Sequence, residues 1–279
     1  MNPEPGRCLV YVDPSPRGDW ALSLAAQLPG RAQRGFDLLA TEEDLRARID
    51  LLDKAAARLG GALEVRPVVR PGPPRHAIVE QTEAVAYGLV VVPPAGRNAW
   101  QRMLKGSRVA TVVRAVHAPV LVARRPPAKL DRILAAVSGG AASEAVVAAA
   151  AELARGLGGH VDYVHVTSEV ALPFAPHEAP LPPAPGSPPD ALHAAQAALA
   201  HEHVTGPLVV REGLVVEEIL GAFKTGAYDL LLVGASPERE RGRLGREDVT
   251  RRLVLGCPGS TLVVPASSAF FDAGEIKGS

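Results

Sequence analysis

Two stretches of this chain have residue types and spacing suited to holding an anion. Asp13 follows the apolar run Leu9-Val10-Tyr11-Val12 and precedes Pro14-Ser15-Pro16, which places a carboxylate at the C-terminal end of an expected buried strand. Further on, Leu89-Val90-Val91-Val92 gives way to Pro93-Pro94-Ala95-Gly96, then a polar loop, then Gly106-Ser107 opening an apolar helix. A strand, a Gly-bearing loop and a helix start present backbone N–H groups and the positive end of a helix dipole to an anion. Each feature also has a plainer reading. Asp13 can open an Asx turn before Pro14, and Ser107 can simply cap its helix.

Other constellations are weak. The sequence contains no GK[ST] phosphate loop, HExxH, GxSxG or nucleophile–base spacing, so an enzyme in the ordinary sense is not expected, although slow ATP hydrolysis stays open. His201-Glu202-His203 suggests metal ligation, but residues two apart on a helix point to different faces. His160 and His165 fall on opposite sides of one expected strand. Cys8 and Cys257 lack a partner at CxxC spacing and read as small core residues. With 30 basic and 30 acidic residues, no overall field favours nucleic acid or an anionic membrane. No apolar run has the length of a membrane span and the N-terminus has no signal-type segment, which together predict a cytoplasmic protein.

The elements that must position the anion-holding stretches occur twice. Val68-Val69-Arg70-Pro71-Gly72 and Ala86-Tyr87-Gly88-Leu89 return 141 positions later as Val209-Val210-Arg211-Glu212-Gly213 and Ala227-Tyr228-Asp229-Leu230, with Ile78 matched by Ile219 between them. A constant offset over such a stretch marks a duplicated strand–helix–strand unit. In the first copy, strands are expected over 9–12, 36–40, 63–69, 89–92 and 119–123. Helices are expected from about Asp19 to Leu28, from Thr41 to Gly60 with Leu45, Ile49, Leu52 and Leu59 facing inward, over 75–85, and from Ser107.

The cycle restarts after Arg124-Arg125-Pro126-Pro127-Ala128, read as a linker, giving domains over 1–127 and 128–279. The second copy repeats the pattern, with strands over 133–137, 160–166, 208–210, 230–233 and 261–264. Helices fall over 141–156, 190–203 and 248–255, and a Pro-rich insertion over 168–190. The tail from Ala266 looks dispensable for the core. Alternating strands and helices imply a parallel sheet covered on both faces.

In their order and spacing these residues resemble the universal stress protein family in its tandem two-domain form, over roughly residues 7 to 265. The resemblance rests on V-D-P-S after the first strand, V-V-R-P-G, A-Y-G-L-V-V-V, G-x9-G-S from Gly96 to Gly106-Ser107, and H-A-P-V-L-V-A. It implies two tandem Rossmann-like (adenine nucleotide alpha hydrolase-like) α/β domains related by a pseudo-two-fold. Each would be a five-stranded parallel sheet of order 3-2-1-4-5 flanked by helices. The order reverses between strands one and four, so Asp13 and the loop from Pro93 to Gly96 would line one crevice. In ATP-binding members that crevice holds the nucleotide. By position, Asp13 would meet the nucleoside, Gly96 would let the backbone approach, and Gly106 with Ser107 would bind phosphate.

Here Pro93 takes the place of the motif's first Gly and has no N–H to donate. The second copy departs further, with Ser138 at the acid position, Pro237 in place of Gly and Arg246 in place of Ser/Thr. The expectation is a stress-response binding or regulatory module, with weak binding of ATP or another adenine nucleotide in the first domain and a degenerate second site. Two alternatives stay open: a scaffold of the same fold acting through an unknown protein partner, and an enzyme on a small anionic ligand in the same crevice. The family pairs its fifth strands in dimers, so Val120-Leu121-Val122 and Leu262-Val263-Val264 are expected to pair within this chain, which leaves room for a further homodimer.

Overall fold

In a computed structural model of the chain, the structure describes residues 7–13, 15, 17–28, 35–41, 45–59, 64–94, 116–124, 127–139, 141–167, 193, 206–235 and 249–266. The first copy runs β1 (Cys8–Tyr11), α1 (Gly18–Ala25), β2 (Phe36–Thr41), α2 (Leu45–Leu59), β3 (Val65–Arg70), α3 (Pro74–Ala84), β4 (Leu89–Val92) and β5 (Val120–Val122). The second runs β6 (Arg132–Ala136), α4 (Ala141–Leu157), β7 (His160–Thr167), β8 (Leu208–Glu212), α5 (Val215–Thr225), β9 (Leu230–Gly234), α6 (Val249–Gly256) and β10 (Ser260–Val264). The expected helix from Ser107 and the Pro-rich insertion lie outside the described residues. Of the helix expected over 190–203 only His193 is described, helical and exposed.

All ten described strands form one sheet in the order β3-β2-β1-β4-β5-β10-β9-β6-β7-β8. Each copy therefore reads 3-2-1-4-5, and the two meet at their fifth strands. Pairing is parallel within each copy and antiparallel at the seam, where Val122, Leu121 and Val120 face Thr261, Leu262 and Val263. The partner run is thus displaced by one residue from the expected 262–264. β1, β4, β5, β9 and β10 are covered on both faces, which is why they read as unbroken apolar runs rather than alternating ones.

The core does not divide at the seam. On one face, Leu22, Leu38, Leu121, Leu262, Ala149 and Tyr163 belong to one contiguous cluster; on the other, Ile78, Val90, Val120, Val263, Ile219 and Phe223 belong to a second. The expected linker is tied down at both ends. Arg124 donates to the carbonyls of Val254 and Leu255 at the end of α6 (3.0 and 3.3 Å), and its backbone exchanges two hydrogen bonds with the Ser260 hydroxyl. On the far side, the Gln27 amide donates to the Pro127 carbonyl and accepts from Leu130 N–H.

Two details of the sequence reading are corrected. Ile49 is half-exposed, and the inner face of α2 is built from Leu52 and Ala55, with Ala56 and Leu59 packed beside them. Thr41 is the last residue of β2 rather than a helix start, and its hydroxyl lies 3.1 Å from that of buried Tyr11. Gly72 and Gly213, at matched positions after β3 and β8, both have positive φ (86° and 140°), a conformation that side chains with a Cβ rarely adopt.

Candidate functional site

β1 and β4 are neighbours, with Val10 opposite Val91, yet their other neighbours, β2 and β5, lead in opposite directions across the sheet. This is the point in an open parallel sheet where a crevice forms above the C-terminal strand ends. Asp13 leaves one strand end there and buried Pro93 the other. The Asp13 side chain is half-buried, and its Oδ1 accepts from Ser15 N–H at 2.7 Å, so the Asx turn is formed. Gly18, opening α1, packs so tightly on this turn that a Cβ would sit 1.9 Å from the Asp13 carbonyl oxygen. Only glycine lets the helix start pack this closely on the Asp13 backbone. Gly96, Gly106 and Ser107, with Trp100 and Met103 in the same loop, lie outside the described residues.

The second copy builds the same crevice differently. Ser138 follows β6 as Asp13 follows β1, but the loop amides of Ser138 and Gly139 both donate to Ser143 Oγ at 2.8 Å. That hydroxyl, on the first turn of α4, donates in turn to the Gly139 carbonyl. Donors that could face an anion are thus taken by the chain itself. Gly234, at the place of Pro93, accepts from the Thr250 hydroxyl (2.9 Å), and a Cβ on it would sit 3.0 Å from that of Ala142. Pro237, Arg246 and His201 to His203 lie outside the described residues. Among the described residues, no group of three His, Cys, Asp or Glu is placed to hold a metal ion.

At the opposite, N-terminal end of the sheet the structure reveals a polar assembly that the sequence reading missed. Buried Arg7 donates through Nε and Nη2 to Asp37 Oδ1 (2.9 and 2.6 Å) and through Nη1 to Glu64 (2.9 Å). The Tyr87 hydroxyl donates to Asp37 Oδ2 at 2.6 Å. The assembly recurs in the second copy. Tyr228 donates to Asp162 Oδ2 at 2.5 Å, Arg132 approaches the same oxygen at 3.6 Å, and its guanidinium lies 5.1 Å from the Tyr228 ring centroid.

Arg132 and Asp162 follow Arg7 and Asp37 by 125 positions, and Tyr228 follows Tyr87 by 141. The change of offset corresponds to the extra length in the second copy, where the Pro-rich insertion falls. That paired recurrence is the signal that could have exposed the assembly. The Arg66 hydrogen bond, and then that of Arg7, holds the Glu64 carboxyl below its usual range.

Burial and then the bond to Asp162 push Tyr228 up to about 12, and burial and then Asp37 push Tyr87 higher still. A tyrosine whose folded pKa is raised contributes stability that is complete below its unfolded value near 10 and is lost as pH rises through the folded value. Stability is therefore expected to fall between about pH 10 and 12. Absorbance at 295 nm should show late-ionising tyrosine in the folded protein, with Tyr228→Phe removing the component near 12. Ionisation of all four tyrosines near pH 10 with the fold intact would contradict this.

A family model, that of the universal stress protein family, matches residues 6–124 and again 129–265. The chain belongs to the universal stress protein family. Its two matches span nearly the whole sequence as tandem copies. Among solved structures, the chain is similar to a universal stress protein from Archaeoglobus fulgidus DSM 4304, with 15% identity, 93% of this chain and 96% of that one covered, and a TM-score of 0.68. It is also similar to a functionally unknown protein from Pseudomonas aeruginosa PAO1, with 16% identity, coverage of 93% and 92%, and a TM-score of 0.67. At these identities the likeness is one of fold. No curated protein gives a match. Among the described residues of this universal stress protein, no helix is long and apolar enough to cross a membrane.

Proposed function

We propose that this universal stress protein is a stress-response binding module, with domains over 1–127 and 128–279, that takes ATP or another adenine nucleotide in the crevice of its first copy only. The observation that carries this reading is the asymmetry of two crevices built on one topology. In the first, a partly buried carboxylate, Asp13, stands at the strand end, with the start of α1 packed on its backbone through Gly18. In the second, a serine replaces the carboxylate and Ser143 already occupies the loop amides. Asp13 would accept from the nucleoside, and Gly96, Gly106 and Ser107 would meet ribose and phosphates at the following helix start. Pro93 weakens the site by removing one donor N–H.

The test begins with nucleotide released from freshly purified, denatured protein, followed by calorimetric titration of the stripped chain with ATP. One nucleotide per chain is expected. Asp13→Ala should lose a polar contact of about 1–3 kcal/mol, roughly a ten- to hundredfold weakening. Binding unaffected by Asp13→Ala would move the site elsewhere. No binding at millimolar ATP would favour a scaffold acting through protein partners.

A further inference from the structure

The two outer edges of the sheet are built differently. β3 and β8 are the last described strands on either side, and each pairs only inwards, with β2 and β7. Along β3, Phe36 N–H donates to the Glu64 carbonyl, so the residues that turn their backbone groups outwards are Val65, Pro67 and Val69. Pro67 has no N–H to offer there, and exposed Arg66 adds a charge beside it. Proline and charge are the usual guards of a sheet edge.

β8 lacks that guard. Tyr163 N–H donates to the Pro207 carbonyl and Gly213 N–H to that of Thr167, and the same alternation turns the N–H and C=O of Leu208, Val210 and Glu212 outwards. Leu208 stands 141 positions after Pro67, so the donor missing from the first edge is present in the second. The valines differ as well. Val68 and Val69 are partly buried against the two core clusters, whereas the matched Val209 and Val210 are 44% and 47% exposed. Leu214, just beyond the strand, is 67% exposed. An apolar edge with outward-facing hydrogen-bonding groups is a template for another strand.

We propose that β8 pairs with β8 of a second copy of this chain, antiparallel about a two-fold axis through Val210. An axis perpendicular to the sheet keeps each face continuous across the pair. It sets Val210 opposite Val210 and Leu208 opposite Glu212 of the other copy, so each outward N–H meets an outward C=O. Leu208 packs on the core face covered by α4, and Val210 shares that face, so the two Val210 side chains cover each other at the axis. Arg211 keeps its partner Glu218 at 3.2 Å and faces Val209 of the other copy, so no like charges stand directly opposite. The chain already joins its own halves by antiparallel edge pairing, with Leu121 opposite Leu262. Because Pro67 guards β3, pairing stops at two copies instead of running on into a filament. Strands of five residues give an interface below about 1,200 Å2, which makes the dimer weak and concentration-dependent. The interface uses no crevice residue and does not depend on the nucleotide reading.

Sedimentation equilibrium of the full chain from about 5 to 500 μM should fit a monomer–dimer exchange with a Kd of about 10–100 μM. Leu208→Pro puts the first copy's residue at the matching position, breaks no hydrogen bond to β7, and should weaken pairing at least about tenfold. Val210→Lys sets two like charges opposite each other at the axis and should hold the chain monomeric over the same range. Circular dichroism reports whether each variant is folded. Two cysteine variants read the register. At the axis the Cα atoms of Val210→Cys stand about 5.5 Å apart, within disulfide reach, whereas those of Val209→Cys stand about 8 Å apart, beyond it. Mild oxidation should therefore link Val210→Cys into dimers at least about tenfold faster than Val209→Cys. The native Cys8 and Cys257 are buried. The parent titration and the cysteine pair decide if either surface variant is not folded. Any of three results overturns the proposal. The first is a parent that stays monomeric at about 500 μM, which would leave the edge to an extended segment of another protein. The others are a dimer that both folded surface variants leave intact, and equal cross-linking at the two positions.

Discussion

Asp37→Asn is expected to cost about 3–5 kcal/mol of folding stability, while Asp162→Asn, the same change in the second copy, costs about 1 kcal/mol. The contrast follows from burial, since both carboxylates accept a hydrogen bond from a tyrosine hydroxyl and face an arginine. The side chains of Arg7 and Asp37 are 1% and 6% exposed, against 45% and 15% for Arg132 and Asp162. Asparagine can still accept from the tyrosine in either copy. In the first copy, however, neutralising Asp37 removes the buried counter-charge of the Arg7 guanidinium and leaves it, among the described residues, the solvent-facing Glu64. In the second copy, water solvates Arg132 whether or not its partner is charged. Urea unfolding of both variants, followed by circular dichroism and compared at equal m-values, measures the difference. Equal losses would show that burial does not set the worth of these pairs.

The same assembly explains why the sequence disclosed so much of the fold and so little of this feature. β4, β5 and β9 are covered on both faces, so Leu89–Val92, Val120–Val122 and Leu230–Gly234 stand out as apolar runs bounded by turn residues. The constant offset then supplied the second copy. Arg7, Asp37 and Tyr87 lie tens of residues apart and each borders a strand, where a polar residue reads as the start or end of a loop. Only the register that sets Cys8 beside Phe36 and Leu89 brings them together.

The error at Ile49 has a similar origin. A hydropathy pattern favours large side chains, yet the face of α2 that meets α1 and the sheet is built partly from Ala55 and Ala56, whose small size allows close approach. Asp13 was legible because a carboxylate ending an apolar run is unusual. The fate of the second crevice was not, because the hydroxyl that fills it sits on α4, five residues beyond Ser138.

Leu121→Asp should be more damaging than either carboxylate change, with an expected loss above about 5 kcal/mol. Leu121 is 1% exposed and lies directly opposite Leu262, itself 2% exposed, in the only antiparallel pairing described in the sheet. A carboxylate there must be desolvated without a cation, or protonated at the cost of its ordinary acidity. Shifting the register by one residue to relieve it would turn every side chain of β5 to the opposite face. Because both core clusters run through the seam, the damage reaches both copies and is not confined to a hinge. Parting the copies would expose two apolar edge strands, which templates association between chains. The variant should therefore unfold at a much lower urea concentration and elute in oligomers by size-exclusion chromatography with light scattering. Leu121→Met, which conserves volume, should cost less than about 1.5 kcal/mol and elute as the parent does. A Leu121→Asp protein with parental stability and parental mass would mean that the copies stand independently and that the seam between β5 and β10 contributes little to the fold.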